Sequence, residues 1–270
     1  MPLCVRGMVM EFVVYLVLGT FVGVLAGLFG VGGGMIIVPA LIFSFTAMGV
    51  DPAVMTHLAV GTSLATIVFT SINSVRAHHK RGAVNWPVVR WMTLGLLAGV
   101  GLGSLTAASL QGEILQKIIG TFAICVAAQM AFNLQPRTAR PLPGKAGLSV
   151  AGGVIGWASS IFGIGGGSLT VPFLAWRSLT MQQAVATSAA CGMPIALAGA
   201  VGFMLTGWSH QAQLPEWSVG FVYLPALVGI AATSMLSARL GVHLAHRLPA
   251  HILKRLFALL MLGVGLNFLL

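Results

Sequence analysis

Two glycine clusters have the residue type and spacing best suited to chemistry in this chain. They comprise Gly30, Gly32, Gly33 and Gly34 in the first and Gly163, Gly165, Gly166 and Gly167 in the second. Consecutive glycines leave their backbone N–H groups unshielded, so several of these groups can converge on one anion in a nest. The segments that follow begin at Met35 and Ser168, and a helix N-terminus adds unpaired N–H groups and the positive end of its dipole. The pattern predicts an anion site that needs no Lys or Arg.

The composition places these clusters in a membrane protein. Only 14 Lys and Arg and 4 Asp and Glu occur among 270 residues, 57% of the residues are hydrophobic, and the mean hydropathy is +0.98. A water-soluble surface needs roughly 25% charged residues. The basic residues are scattered between apolar runs, which indicates orientation in a bilayer rather than binding to nucleic acid.

Apolar runs and helix breakers predict an all-α integral membrane fold with about ten helical segments. The segments are 11–28, 35–48, 52–75, 87–108, 114–134, 147–162, 168–176, 181–206, 217–238 and 252–270. Six are long enough to span a bilayer, and the other four form two short pairs, each broken by a glycine cluster. Asp51-Pro52, Asn85-Trp86-Pro87 and Thr180 to Gln183 are typical helix starts.

The second half of the chain repeats the first. Residues 29–39, Phe-Gly-Val-Gly-Gly-Gly-Met-Ile-Ile-Val-Pro, return 133 residues later as Phe-Gly-Ile-Gly-Gly-Gly-Ser-Leu-Thr-Val-Pro, with seven of eleven positions identical. Thr62-Ser63 likewise pairs with Thr187-Ser188 at a spacing of 125. We interpret residues 1–138 and 147–270 as two transmembrane repeats of one integrated domain, joined by a cytoplasmic linker at 139–146.

The distribution of basic residues predicts that the repeats have opposite orientation. If the loops at 76–86, 135–146, 177–180 and 239–251 are cytoplasmic, these loops and their flanks hold 12 basic residues, and only Arg6 and Lys117 lie outside. Both termini are then outside, and each helix of the first repeat runs opposite to its counterpart. Transporters with inverted repeats bind substrate near the midplane, where broken helices of the two halves meet.

The two Thr-Ser pairs are further candidates for the anion site. Thr62 and Ser63 lie roughly 17 Å into a helix that starts near Asp51, close to the bilayer midplane. Thr187 and Ser188 lie about 11 Å past their cap, a poorer match in depth. Two alternatives remain open: these hydroxyls bind substrate, or they bond their own helix. Met193-Pro194 is expected to kink the same segment and free a carbonyl.

Other residue patterns carry simpler interpretations. The glycine clusters themselves have a packing-only alternative, and Gly95, Gly99 and Gly103, spaced four apart, are interpreted as a helix-packing face. The histidines at 243, 246 and 251 have no Cys or carboxylate beside them, so neither a metal nor a cofactor is predicted. An intramembrane protease needs a Ser-His or paired-Asp set at depth, and the sequence indicates no buried His or Asp.

The duplicated Phe-Gly-x-Gly-Gly-Gly segments at 29–34 and 162–167, with Pro39, Pro172 and the Thr-Ser pairs, resemble the sulfite exporter TauE/SafE family over nearly the whole chain. The resemblance implies an inner-membrane permease that moves sulfite, sulfonates or related organosulfur anions, commonly outward. The family motif transfers to the eight glycines named above, and Met35 against Ser168 makes any site asymmetric. The expected partners are a small anionic substrate and membrane lipid. A permease for another solute, or a membrane enzyme or assembly partner, is the alternative, and the oligomeric state stays open, a homo-oligomer included.

Overall fold

The structure, a computed structural model, describes residues 2–29, 33–132, 141–177, 179–245 and 250–270. Within these residues the chain forms ten α-helices, which confirms the all-α fold and the number of predicted segments. They are α1 Pro2–Phe29, α2 Gly34–Ala47, α3 Pro52–Lys80, α4 Trp86–Ser109, α5 Gly112–Ala131, α6 Lys145–Phe162, α7 Gly167–Trp176, α8 Met181–Thr206, α9 Leu224–Ala245 and α10 Ala250–Leu269. The first helix thus begins at Pro2 rather than at residue 11.

Side-chain caps fix three of the helix starts as the sequence predicts. An Asp51 carboxylate oxygen accepts the N–H of Ala53 at 2.9 Å, and the Asn85 side chain accepts the N–H of Val88 at 3.3 Å. Thr180 and Gln183 exchange two hydrogen bonds in a capping box. Each cap satisfies N–H groups that the first helical turn leaves without a partner.

The segment 217–223 is not the start of a helix, contrary to the sequence prediction. It forms a small hairpin of two antiparallel strands, β1 Ser218–Val219 and β2 Val222–Tyr223, after a short 3₁₀ helix at Trp208–Gln213. Trp217 and Gly220 have positive φ angles of 68° and 52°, which a helix does not allow. The Phe221 N–H bonds the carbonyl of Phe203 at 3.1 Å, so the hairpin is held on the end of α8.

Within the residues that the structure describes, four helices are long and apolar enough to cross a bilayer: α3, α4, α5 and α8. Shorter apolar helical stretches cover residues 12–25, 34–47, 167–176, 224–237 and 255–269. Large apolar side chains lie exposed on the outside of the bundle, among them Leu102 at 63% and Leu205 at 70%. An apolar exterior of this kind is stable in lipid and not in water.

The two halves of the chain are interleaved. Helix α1 packs mainly on α9, and α4 packs mainly on α6. Each of these two pairs thus contains one helix from each half of the chain. A Cβ added to Gly95 or Gly99 meets the backbone of α6, and one added to Gly19 lies 2.6 Å from the Cα of Ile230 in α9. The interpretation of Gly95, Gly99 and Gly103 as a packing face is therefore confirmed. The opposite orientation of the repeats and the domain bounds stay predictions; part of the linker 139–146 lies outside the described residues.

Candidate functional site

The first glycine cluster interrupts the helical hairpin formed by α1 and α2. Gly33 is the N-cap of α2 with a φ of 77°, a left-handed value that favours glycine. Its carbonyl accepts the N–H groups of Ile36 and Ile37, both at 2.9 Å. Gly33 and Gly34 are buried, whereas the predicted site residues Gly30 and Gly32 lie outside the described residues. The break places the N-terminus of α2 inside the protein.

The second cluster makes an equivalent break between α6 and α7. Gly163 ends α6 with a φ of 66°, and Gly166 caps α7 with a φ of 76°. Gly166 accepts the N–H groups of Leu169 and Thr170 at 3.1 and 2.7 Å, as Gly33 does in the first copy. The matching left-handed caps at Gly33 and Gly166 show that both copies of the motif fold alike. Helices α2 and α7 begin at Gly34 and Gly167, one residue before the predicted starts.

The two breaks lie against each other. A Cβ added to Gly34 would be 2.8 Å from the carbonyl oxygen of Gly163 and 2.8 Å from the Cα of Ile164. The Ser168 hydroxyl lies 3.3 Å from the sulfur of Met35, which is its own counterpart in the other copy. The expectation that the broken segments of both halves meet is confirmed by these contacts. The junction is asymmetric as expected, with a hydroxyl on one side and a thioether on the other.

The threonines of the two Thr-Ser pairs make reciprocal contacts. The Thr62 hydroxyl accepts the N–H of Tyr223, just before α9, at 2.9 Å. The Thr187 hydroxyl accepts the N–H of Asn85, just before α4, at 3.0 Å. Both threonines are fully buried. Each therefore fixes the start of a helix in the other half, and neither of them makes the own-helix bond that was the alternative.

The serines of the same pairs differ from each other. The buried Ser63 hydroxyl donates to the carbonyl of Gly163 at 2.8 Å and so ties α3 to the second break. The Ser188 hydroxyl, 1% exposed, has no partner among the described residues. Ser188 lies one turn before Gly192 on α8, where an added Cβ would meet the carbonyl of Gly165. Whether either serine binds substrate stays a prediction. Helix α8 runs without interruption through Pro194.

Two buried hydroxyls beside the second break were missed by the sequence reasoning. Ser159 and Thr170 are fully buried, and neither hydroxyl has a hydrogen-bond partner in the described part of the chain. A Cβ built on Gly166 would lie 3.2 Å from the Thr170 hydroxyl oxygen and 4.0 Å from that of Ser159. Alignment of the two repeats could have indicated these residues, because the equivalent positions in the first repeat are the apolar Ala26 and Ile37.

The sequence-based view that no histidine is buried is wrong. His57 is only 4% exposed, in the second turn of α3. Its Nε2 lies 2.9 Å from the carbonyl of Ala107, and its ring stacks on Phe221 of the hairpin at 5.1 Å. No nucleophile is hydrogen-bonded to His57 among the contacts described. The residue joins the start of α3 to the 217–223 hairpin.

The space between the two breaks is closed in this structure. The cavity there measures only about 10 Å³ and is lined mainly by apolar side chains of α2, α5 and the second break, including Met35, Phe122 and Ile164. A larger groove of about 530 Å³ lies between α1, α2 and α10 and is almost wholly apolar. An oxyanion between the breaks thus requires them to move apart. In the residues that the structure covers, no cluster of three or more His, Cys, Asp or Glu could hold a metal.

Comparisons with known proteins agree on one family. The family model described as sulfite exporter TauE/SafE matches residues 15–268. A probable membrane transporter protein of Haemophilus influenzae is 39% identical over 258 residues, which cover 93% of this chain and 96% of the relative. Another, of Methanocaldococcus jannaschii, is 31% identical over 88% of each chain. No solved structure matches significantly.

Proposed function

The chain belongs to the sulfite exporter TauE/SafE family and is a multi-pass membrane transporter, and on this premise we propose that it exports sulfite, a sulfonate or a related small organosulfur oxyanion. The proposed site lies where the two glycine breaks meet. It uses the residues predicted from the sequence: the glycines of both clusters, Ser168 and the Thr-Ser pairs. Backbone dipoles, rather than ionised side chains, provide the attraction for the anion.

One observation carries this proposal: two helix N-termini begin at buried, left-handed glycines and lie against each other. Gly33 caps α2 and Gly166 caps α7, and the two breaks approach closely at Gly34 and Gly163. A helix N-terminus attracts negative charge through its free N–H groups. A cation or a neutral solute gains nothing from two such termini, so the geometry favours an anion.

We propose alternating access around this site, with inverted repeats as its structural basis. The reciprocal bonds of Thr62 to Tyr223 and of Thr187 to Asn85 support a two-fold relation between the halves. The 12 to 2 division of basic residues supports opposite orientation. Because α1 packs on α9 and α4 on α6 across the halves, motion is easier at α2 and α7 than between whole repeats. The closed cavity corresponds to an occluded state.

The membrane potential suffices to drive export. We place the protein in the inner membrane with both termini outside. An inside-negative potential then favours anion exit by about 2.3 kcal/mol per charge per 100 mV. A coupling ion is therefore unnecessary for export, and the cytoplasmic basic loops would raise the local concentration of the anion.

Counterflow of labelled sulfite into proteoliposomes that contain purified protein tests the proposal. We expect uptake above that of protein-free vesicles, inhibited by thiosulfate and by sulfonates but not by glycerol or choline. Inhibition by choline or glycerol alone would favour the cationic or neutral solute instead. Absence of uptake, with the protein shown to be folded and inserted, would refute the sulfite assignment.

A further inference from the structure

The structure assigns the oxyanion-binding groups to one side of the junction: we propose that the hydroxyls of Ser159 and Thr170, with the N-terminal amides of α7, bind the substrate oxygens. The inference rests on the proposed transport of an oxyanion and specifies which side chains recognise it. The first break, by contrast, forms an apolar wall. Substrate recognition is thus unequal between the two copies of the motif.

The hydroxyls of Ser159 and Thr170 have no hydrogen-bond partner among the described residues. Buried threonines and serines of membrane helices commonly bond a carbonyl in the preceding turn. The buried Thr66 does so here at 2.8 Å, and the half-buried Thr93 and Thr206 do so at 2.8 and 2.9 Å. Ser160, next to Ser159, donates to Trp157 at 3.1 Å. Ser159 and Thr170 make no such bond although they are fully buried.

Both hydroxyl oxygens lie within 4.0 Å of one position beside the cap of α7. The position of a Cβ on Gly166 is within 3.2 Å of the Thr170 oxygen and 4.0 Å of the Ser159 oxygen. The N–H groups of Gly167 and Ser168 belong to the first turn of the same helix, before its own carbonyls can accept them. The nearest atom to that position is Cδ1 of Ile195 in α8, at 2.6 Å, so this apolar side chain must move before a ligand can enter. Two hydroxyl donors and a helix N-terminus therefore lie around one position, which Ile195 fills in this closed structure.

The unpartnered Ser188 hydroxyl belongs to the same region. It is on the face of α8 that also carries Gly192 and Ile195, and both of these contact the second break. Three hydroxyls that have no partner among the described residues thus come from α6, α7 and α8. Eight buried side-chain polar atoms of the described residues have no partner, and three of the eight lie around this one break. Buried polar groups are almost always paired, so we interpret this grouping beside a helix N-terminus as a site whose ligand pairs them when it is present.

The first copy of the motif lacks this chemistry. The residues equivalent to Ser159, Thr170 and Ser168 are Ala26, Ile37 and Met35. Ile37 and Met35 are buried at 2% and 6% exposure. They can contact a sulfur atom or an organic group but cannot donate to an oxygen. A sulfonate would therefore bind with its oxygens towards α7 and its organic group towards α2.

The test compares four variants of the purified full-length protein. Thr170→Val and Ser159→Ala remove the two hydroxyls, Thr170→Ser keeps the hydroxyl, and Ser160→Ala is the matched control in the same helix. Sulfite, thiosulfate and sulfate are the probes, and binding is measured from the ligand-dependent shift in Tm. We expect Thr170→Val and Ser159→Ala each to weaken binding about tenfold or more, because each removes a hydrogen bond to a charged ligand. Thr170→Ser and Ser160→Ala should stay within about threefold of wild type.

The ligand-free Tm separates recognition from a merely structural role. Removing a buried hydroxyl that has no partner relieves an unmet hydrogen-bonding demand. We therefore expect the ligand-free Thr170→Val and Ser159→Ala proteins to melt at the wild-type temperature or above it. A lower Tm, together with unchanged binding, would show that the hydroxyls serve the fold and would overturn the inference.

The outcomes also separate this inference from the proposed substrate. If wild type and both hydroxyl-deleted variants bind sulfite equally, the site assignment fails and the transport proposal stands. If wild type binds only thiosulfate or sulfate, with loss in Thr170→Val and Ser159→Ala, the site assignment stands and sulfite is the wrong substrate. Binding of none of the three anions by folded wild-type protein would overturn both.

Discussion

Close approach of the two breaks should make Gly34 intolerant of even one added methyl group. In Gly34→Ala the new Cβ would lie 2.8 Å from the Gly163 carbonyl oxygen and from the Ile164 Cα. An ordinary contact needs 3.4 Å or more, so the breaks must separate by roughly 0.6 Å. Overpacking of this kind costs about 1–3 kcal/mol. Gly34 is already part of helix α2, so the higher helix propensity of Ala stabilises the open and the closed arrangement equally. It therefore does not offset the cost of bringing the two breaks together.

A penalty that falls only on the closed arrangement shifts the conformational equilibrium. The cost of about 1–3 kcal/mol corresponds to a change of roughly 5- to 150-fold in the population of the occluded state. We expect counterflow by Gly34→Ala to fall to about one fifth of wild type or less, with the protein still folded by size-exclusion chromatography. Gly101→Ala in α4 is the matched control, since no atom lies within 4 Å of its added Cβ. Wild-type counterflow by Gly34→Ala would refute the idea that the breaks close on each other during transport.

Two further predictions concern the helix starts and the orientation. Thr62→Val and Thr187→Val each remove a hydroxyl that accepts a backbone N–H from the other half, and each should cost about 1–3 kcal/mol of stability, measured as a lowered Tm. Thr66→Val, whose hydroxyl bonds only its own helix, should cost under about 0.5 kcal/mol; an equal loss there would contradict the reciprocal role. In a cysteine-free background, Gln111→Cys should react with a membrane-impermeant maleimide from outside and Ala83→Cys only after permeabilisation. The reverse pattern would invert the proposed topology.

The helices were largely predictable because their signals are local. The caps at Asp51, Asn85 and Thr180 fix three helix starts, and consecutive glycines mark both breaks. The segment 217–223 was not predictable in this way. Its hydropathy resembles that of a helix, and its conformation depends on Trp217 and Gly220 at positive φ and on a bond to the distant Phe203. Tertiary contacts, rather than local propensity, therefore determine the hairpin conformation of this segment.

The candidate site was predictable in outline but not in detail. Repetition of the glycine motif indicated that two breaks would meet, and the contact of Ser168 with Met35 agrees. Sequence alone, however, does not tell which hydroxyls remain unused. Ser159 and Ser160 are adjacent residues of one type, yet only Ser160 bonds its own helix. The difference depends on side-chain direction within the assembled bundle. The burial of His57 was not predictable for the same reason, because it depends on contacts with Phe221 and Ala107, which are distant in sequence.

The crossed pairing of α1 with α9 has a consequence for biosynthesis. Helix α1 is translated well before its main packing partner, α9, because α2 to α8 lie between them along the chain. Its small-residue face, with Gly19 and Gly23, therefore lacks its packing partner until α9 has been translated. A nascent chain truncated before Leu224 exposes that face without its partner helix, as an intermediate with unsatisfied packing surface.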